Sequence, residues 1–257
     1  MSLHHVAGGE REAPILVLGS SLGTTHEMWE QQAEPLTERF RVVRYDRRGH
    51  GRSAVVPGPT TLDDLGADVV RLLDELGLER VSFAGLSLGG LEGMWLALHA
   101  PERVDRLVLA CTAPSFAPRE TWVERAALVR AEGVETVAKA VLARWFRPEF
   151  REARPDVVSY FEAMLVATPP AGYAACCDVL AEADLTRQVG AITAPTLVLT
   201  GSDDPAVPPA RGAELAATIP GAEHLVIEHA AHIANVEQPE AFTAALLRHL
   251  DPDGGSA

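Results

Sequence analysis

The chain has 257 residues, 47% of them hydrophobic, and a formal net charge of −14 at pH 7. This length and composition predict one domain with a sizeable core and an insertion. The negative charge argues against a surface that binds nucleic acid or an anionic membrane, because both require a basic patch. The expected partners are therefore small molecules or other proteins.

Cysteine usage and the N-terminal residues indicate a compartment. Cys111 and the adjacent pair Cys176 and Cys177 make a poor disulfide framework and fit a reducing environment. Residues 1–5 have neither a basic start nor an apolar run, and no stretch approaches the roughly 18 apolar residues of a membrane span. We therefore expect a cytoplasmic protein. The histidines and cysteines show no ligand spacing such as H-x-x-x-H or C-x-x-C, so we expect neither a metal site nor a cofactor.

Short apolar runs alternate with helical patterns along most of the chain. The runs are continuous in apolar character, which is typical of strands buried on both faces of a parallel sheet. This alternation predicts a doubly wound α/β fold with sites at the C-terminal ends of the strands. The predicted strands are 15–18, 41–45, 81–84, 107–110, 196–200 and 225–228, residues 3–6 could add an opening strand, and the predicted core helices are 62–76, 87–99 and 239–250.

The alternation stops between residues 115 and 183. This segment has amphipathic helical runs at 122–131 and 134–146, several prolines and no clear strand. It predicts a helical cap inserted in a core of residues 1–114 and 184–257. A cap over the strand ends would exclude water and shape a pocket. Residues 251–257 predict a disordered tail or linker.

A nucleophile motif lies between the predicted strand 81–84 and the helix that follows it. Residues 85–89 read Gly-Leu-Ser-Leu-Gly, the pattern of a G-x-S-x-G nucleophile elbow, in which the glycines remove side chains that would clash at a sharp turn. The pattern alone is weak because glycine and serine are common, but its position at a strand end strengthens it. Ser87 is therefore the predicted nucleophile. The backbone N–H groups of Leu88 and of Leu22, in the loop after strand 15–18, are the predicted oxyanion hole.

A serine hydroxyl becomes a good nucleophile when an imidazole takes its proton and a carboxylate orients that imidazole. Asp204 follows strand 196–200 and His232 follows strand 225–228, which completes the chain order Ser, Asp, His. Asp204 is preferred to Asp203 because it precedes the proline that turns the chain, and Asp203 fits a turn-capping role. His224 and His229 fit strand-end or surface positions, so His232 is the predicted base.

Over nearly its full length the sequence resembles the α/β-hydrolase family. Residues 45–53, YDRRGHGRS, are similar to the D-x-R-G-x-G-x-S loop of that family, and residues 233–239 resemble the segment after its catalytic histidine. Within the family, the sequence is most similar to the 3-oxoadipate enol-lactonases of the β-ketoadipate pathway. The segments that carry this likeness are 20–24 with Met28 and Trp29, 85–90, Trp145 with Phe146, 173–177, 204–209 and 231–239.

This resemblance implies a serine hydrolase that opens 3-oxoadipate enol-lactone to 3-oxoadipate. The substrate would be a small anionic lactone, and an acidic protein has to hold the substrate carboxylate with local cations. The expected cations are Arg144 and Arg147, which flank Trp145 and Phe146, and Trp145 is expected to line the pocket. The alternatives are that both arginines lie on a solvated helix face and that Trp145 belongs to the core.

Two other functions remain open. Another carboxylesterase, a lactonase or a cofactor-free perhydrolase would use the same triad. A ligand receptor on a hydrolase fold would retain the triad with slow or absent turnover. Rapid hydrolysis of p-nitrophenyl acetate would argue against the receptor, whereas only a comparison of substrates separates the enzymes.

Overall fold

The computed structural model describes residues 2–116 and 118–251, and a seven-stranded sheet lies at the centre of this part of the chain. The strands are β1 (His5–Gly8), β2 (Ile15–Gly19), β3 (Arg41–Tyr45), β4 (Val81–Leu86), β5 (Val104–Ala110), β6 (Thr196–Gly201) and β7 (Glu223–Ile227). Their order is β1-β3-β2-β4-β5-β6-β7, with β1 antiparallel to β3 and the other neighbours parallel. The predicted α/β fold with a mostly parallel sheet is confirmed.

The central strands are predicted best and the edge strands least well. Every residue of β4 and β6 is buried, and apolar side chains occupy both faces of these strands. The edge strand β7 begins two residues before the predicted 225–228, because Glu223 and His224 pair with β6 while most of the strand stays partly exposed. At the other edge, the antiparallel register of β1 pairs His5 with Tyr45, so the opening strand starts later than the predicted 3–6.

Helices flank the sheet and fill the connections between its strands. Local signals set the bounds of α2, which begins with a capping box of Thr61 and Asp64 and is followed by Gly77 at φ 65°. The helices of the described residues are α1 (Glu30–Thr37), α2 (Leu62–Glu75), α3 (Leu88–His99), α4 (Arg119–Glu132), α5 (Glu135–Trp145), α6 (Pro148–Ala153), α7 (Pro155–Val166), α8 (Pro170–Glu182), α9 (Pro209–Thr218), α10 (Ala234–Glu237) and α11 (Pro239–Leu250).

The helices α4 to α8 lie between β5 and β6, in the segment predicted to be a cap. α4 packs along α8, and an antiparallel bridge between Ser115 and Asp184 joins the two ends of the segment. The limits 1–114, 115–183 and 184–257 stay a prediction, and residues 252–257 of the predicted tail lie outside the described residues. In the described chain no single helix is both long and apolar enough to cross a membrane, although α7 and α8, which meet at a bend of 92°, reach that length and composition together.

Candidate active site

Ser87 joins β4 to α3 in a strained backbone conformation, with φ 58° and ψ −115°. Such strain costs about 1–3 kcal/mol and persists only where the surroundings hold it. Here the Ser87 N–H donates to the Ala110 carbonyl at 2.9 Å, and the Thr112 hydroxyl donates to the Ser87 carbonyl at 2.7 Å. A Cβ on Gly85 would collide with the Gly89 carbonyl, and one on Gly89 would collide with the Gly19 carbonyl of β2. The helix therefore approaches both strands only because these positions lack side chains. The motif therefore forms the sharp turn predicted from the sequence.

His232 and Asp204 form a buried side-chain pair beside this turn. The His232 Nδ1 lies 2.9 Å from Oδ2 of Asp204. The other oxygen, Oδ1, accepts the backbone N–H groups of Ala206 at 2.8 Å and Val207 at 3.0 Å. His232 and Ser87 line the same cavity. The structure thus brings the three predicted triad residues together from the C-terminal ends of three different strands.

The competing acid and base candidates lie elsewhere. The Asp203 side chain is 51% exposed, whereas the Asp204 side chain is fully buried. His224 bonds to a threonine of β6 through its Nε2, at 3.0 Å, and His229 is exposed at φ 56°. None of these three neighbours lines the cavity. The geometry therefore favours the pair that we preferred from the sequence.

The loop after β2 supplies the candidate oxyanion hole. The backbone N–H groups of Leu22 and Leu88 donate to no other residue in the described part of the chain. The Gly89 N–H donates to the Ser20 carbonyl at 3.1 Å, which ties the loop to the elbow. The Ser20 hydroxyl is buried and has no hydrogen-bond partner among the described residues. The N–H groups at these two positions are therefore available to stabilise an oxyanion.

His50 supports the same loop through a neutral imidazole. Burial, followed by the positive charge of Arg47, lowers the pKa of His50 to about 3, so the ring is neutral near pH 7. Its Nε2 therefore acts as an acceptor and takes the Gly23 N–H at 3.1 Å, while Nδ1 lies 3.3 Å from the Arg48 carbonyl. A neutral, buried histidine thus fixes the residue that follows Leu22.

Arg47 holds the loop from the opposite direction. Its guanidinium donates to the carbonyls of Ser20 at 2.6 Å and Ser21 at 2.9 Å. Its other N–H groups donate to Glu92 on α3, which also accepts the Tyr45 hydroxyl at 2.6 Å. We did not identify this network from the sequence. The only available signal was a glutamate among the apolar residues of the predicted helix 87–99.

A cavity of about 230 Å³ lies above the candidate triad. Ser87, His232 and Leu22 line it from the core, and Trp145 and Tyr173 line it from the cap segment. The structure therefore places Trp145 where we expected it. The cavity opens onto the nucleophile and combines aromatic side chains with a few polar groups, which are features of an enzyme pocket.

Three arginines also line the cavity: Arg125, Arg144 and Arg211. The Arg125 guanidinium lies 4.6 Å from the centre of the Trp122 ring. Within the described residues, neither Arg125 nor Arg144 has a carboxylate partner within 4 Å. Burial, followed by the charge of Arg125, lowers the pKa of Arg144. Arg211 lies 3.7 Å from a glutamate of its own helix, so its charge is partly compensated.

Arg147 is a correction to the sequence prediction, because it does not line the cavity. It precedes the first turn of α6, and its Nε lies 3.5 Å from Glu237 and 3.9 Å from Asp203. Its side chain is therefore compensated by carboxylates outside the pocket. Arg125, which we did not identify as a candidate, supplies the second cation near Arg144. Its position three residues after Trp122 on one helix was the signal that could have revealed it.

Comparisons with known proteins agree with this architecture. The model of the alpha/beta hydrolase fold family matches residues 14–239. The 3-oxoadipate enol-lactonase 2 of Acinetobacter baylyi is 41% identical over 96% of this chain and 92% of its own length. Among solved structures, the enol-lactonase of Burkholderia xenovorans is 42% identical, with a TM-score of 0.95 over 96% of each chain. A malate-bound esterase of Thermogutta terrifontis is 32% identical, with a TM-score of 0.92 over 97% of this chain and 93% of its own. The chain therefore belongs to the α/β-hydrolase family.

Proposed function

We propose that the chain is a serine hydrolase that opens 3-oxoadipate enol-lactone to 3-oxoadipate, a step in the breakdown of aromatic compounds. The observation that carries the proposal is the cavity, in which Ser87 and His232 face the arginines Arg125 and Arg144. Two uncompensated cations beside a nucleophile in a protein of net charge −14 favour an anionic substrate. The similarity to two enol-lactonases, at 41% and 42% identity, supports the lactone in particular.

Acylation opens the ring. The Ser87 Oγ attacks the lactone carbonyl carbon as His232 takes the hydroxyl proton, and Asp204 keeps the imidazole oriented and stabilises its cation. The carbonyl oxygen becomes an oxyanion, which the N–H groups of Leu22 and Leu88 stabilise. Each such donor contributes about 2.7–4 kcal/mol to transition-state stabilisation in measured oxyanion holes.

Collapse of the tetrahedral intermediate breaks the bond to the ring oxygen, which leaves as an enol and receives the proton from His232. An enol leaves more readily than an ordinary alkoxide and then tautomerises to the ketone. The acyl chain stays on Ser87 until His232 removes a proton from water, which attacks the ester carbonyl. Collapse of this second intermediate returns the proton to Ser87 and releases the dicarboxylic acid.

The substrate carboxylate is held by Arg144 and Arg125, with Trp145 beside it. Arg144 is the stronger of the two candidates, since burial disfavours its charge and a bound anion would compensate it. The Thermogutta esterase, which is 32% identical, was solved with malate bound, and malate is a dicarboxylate. The three cysteines are free and buried in this structure, which supports a reducing, cytoplasmic location.

The direct test follows the loss of enol-lactone absorbance with the purified protein. We expect a kcat/KM for 3-oxoadipate enol-lactone at least 100-fold above that for a neutral ester of similar size, which corresponds to about 2.7 kcal/mol. The inactive variant Ser87→Ala provides the background rate. No turnover of the enol-lactone, together with turnover of neutral esters, would contradict the proposed substrate and leave a general esterase.

A carboxylesterase is the second candidate function, and the similarity to the Thermogutta esterase favours it. Lactonases and perhydrolases with the same triad belong to this group. A ligand receptor is the remaining alternative, and it predicts slow or absent turnover of p-nitrophenyl acetate. Rapid steady-state hydrolysis of that ester over many turnovers, and not only an initial burst of one equivalent, would argue against the receptor.

A further inference from the structure

Three possible metal ligands from distant parts of the chain meet outside the cavity. They are His4, ahead of β1, His26, at the start of a short 3₁₀ helix, and Asp46, directly after β3. One nitrogen or oxygen from each lies within 4.8 Å of the others. None of the three lines the active-site cavity. Their positions in the chain are too far apart to form a spacing motif, which explains why we expected no metal site.

The backbone holds two of these ligands in place. Asp46 is buried, and its Oδ1 accepts the His26 backbone N–H at 2.8 Å and lies 2.9 Å from His26 Nδ1. Its Oδ2 accepts the Arg52 N–H at 2.9 Å. These hydrogen bonds hold the carboxylate in one orientation. A carboxylate and an imidazole are thus in direct contact, and they would separate slightly to become two ligands of one ion.

His4 supplies the third ligand, and its ring nitrogen has no partner. Its backbone is fixed, because its N–H donates to Ser53 Oγ at 2.8 Å and its carbonyl accepts the Asp46 N–H at 2.9 Å. The Nε2 of His4 is buried and makes no hydrogen bond in the described part of the chain. A buried nitrogen that has no other partner is available as a ligand for an ion.

We propose that His4, His26 and Asp46 bind a divalent transition-metal ion, with zinc as the first candidate. Two imidazoles and one carboxylate suit zinc and its neighbours in the first transition row. Ligands at about 2.0 Å from a tetrahedral ion lie roughly 3.3 Å apart, so the His4 ring has to move inward by up to about 1.5 Å. The fourth position is left for water.

The bound ion would connect the N-terminal segment to the loops around the active site. Asp46 precedes Arg47, which holds the Ser20 and Ser21 carbonyls, and His26 follows the oxyanion loop. The ion would therefore stabilise the folded chain without touching the substrate. The site is independent of the proposed substrate, because it requires only the residues that form it.

The test uses the full chain without an affinity tag, after removal of metals with a chelator. Titration with Co²⁺ is followed by visible absorption, and titration with Zn²⁺ by calorimetry and thermal unfolding. We expect one tight site, d–d bands of a four- or five-coordinate ion and a rise in Tm. In His4→Ala we expect the metal affinity to fall by at least roughly 10–100-fold. That is the loss caused by removing a group that only hydrogen-bonds to a metal ligand, and His4 is itself a proposed ligand. Unchanged p-nitrophenyl acetate hydrolysis by metal-free His4→Ala will show that the variant is folded.

The matched control is His5→Ala, which removes the neighbouring imidazole outside the cluster. We expect it to retain wild-type affinity, and His232→Ala should retain it too because the proposed site does not include the active-site histidine. Equal losses in His4→Ala and His5→Ala, or wild-type affinity in His4→Ala, would overturn the proposal. So would the absence of any site tighter than millimolar in the wild-type chain.

Discussion

Arg47 and Glu92 form a buried, two-point ion pair, in which Nε to Oε1 and Nη2 to Oε2 are both 2.9 Å. The pair joins the loop after β3 to the helix that follows the nucleophile. Because Arg47 also donates to the carbonyls of Ser20 and Ser21, the position of the oxyanion loop depends on a carboxylate 45 residues from Arg47 in the chain. The nucleophile and the oxyanion loop are therefore positioned by one shared contact network.

Glu92→Gln should destabilise the chain strongly. Loss of the carboxylate leaves the Arg47 charge buried without compensation, and breaking a buried pair in this way typically costs about 3–5 kcal/mol. We also expect kcat for ester hydrolysis to fall by up to about 100-fold, since the oxyanion loop loses its support. Urea unfolding and steady-state kinetics measure the two effects.

The control for Glu92→Gln is Glu30→Gln. Glu30 pairs with Arg44, and the Glu30 side chain is 72% exposed. Surface pairs contribute about 0–1 kcal/mol, so we expect little change in the free energy of unfolding. Similar destabilisation by both variants would show that the burial of the Arg47 pair has no special role.

Ser87→Ala, His232→Ala and Asp204→Asn should each lower kcat by about 10⁴-fold or more without unfolding the chain, as in other triads. Asp203→Asn is the matched control and should retain most activity, because its carboxylate faces solvent and not His232. Circular dichroism verifies folding. If Asp203→Asn is folded and is more impaired than Asp204→Asn, Asp203 is the acid and our assignment is wrong.

Arg144→Ala should raise KM for the enol-lactone by tenfold or more, about 1.4 kcal/mol, and leave a neutral ester almost unaffected. The reason is that the lost contact is made to the substrate carboxylate in both ground and transition states. Arg125→Ala should behave in the same way with a smaller effect, because its guanidinium also lies over the Trp122 ring. Steady-state kinetics on both substrates give the comparison.

Arg130→Ala is the control for the cavity arginines, since Arg130 lies on the same helix as Arg125 and pairs with Asp178 at the surface. We expect its KM values to match those of the wild type. Equal effects of Arg144→Ala on charged and neutral substrates would show that Arg144 shapes the pocket and does not bind the carboxylate.

His50 should make the stability of the chain depend on pH between about 6.5 and 3. Its pKa is about 3 in the folded chain against 6.5 as the ordinary value, so the unfolded chain takes up the proton first as the pH falls. The stability that depends on neutral His50 is therefore complete above pH 6.5 and is lost on acidification, by about 2–3 kcal/mol between pH 7 and pH 4.5.

The measurement is the difference in unfolding free energy between the wild type and His50→Gln across this range. We expect the advantage of the wild type to shrink as the pH falls to 4.5 and to stay constant between pH 7 and 9, which serves as the internal control. A difference that is constant from pH 4.5 to 7 would mean that His50 is not held neutral in the folded chain.

The sequence by itself determined the fold and the order of the candidate triad. A buried strand needs a continuous apolar run, and an elbow needs glycines within two positions of Ser87, so both signals are local. Asp204 and His232 could be chosen because each follows a predicted strand, and parallel strands place their C-terminal ends at one edge of the sheet.

Only the tertiary structure decided which charges meet. Arg144 and Arg147 are only three residues apart, yet Arg144 lines the cavity and Arg147 pairs with Glu237. They differ because the chain turns between α5 and α6. Glu92 meets Arg47 for a related reason, since their elements pack together although they are distant in the chain. Electrostatic pairing depends on distance in space and on burial, and neither is encoded in the local pattern of residues.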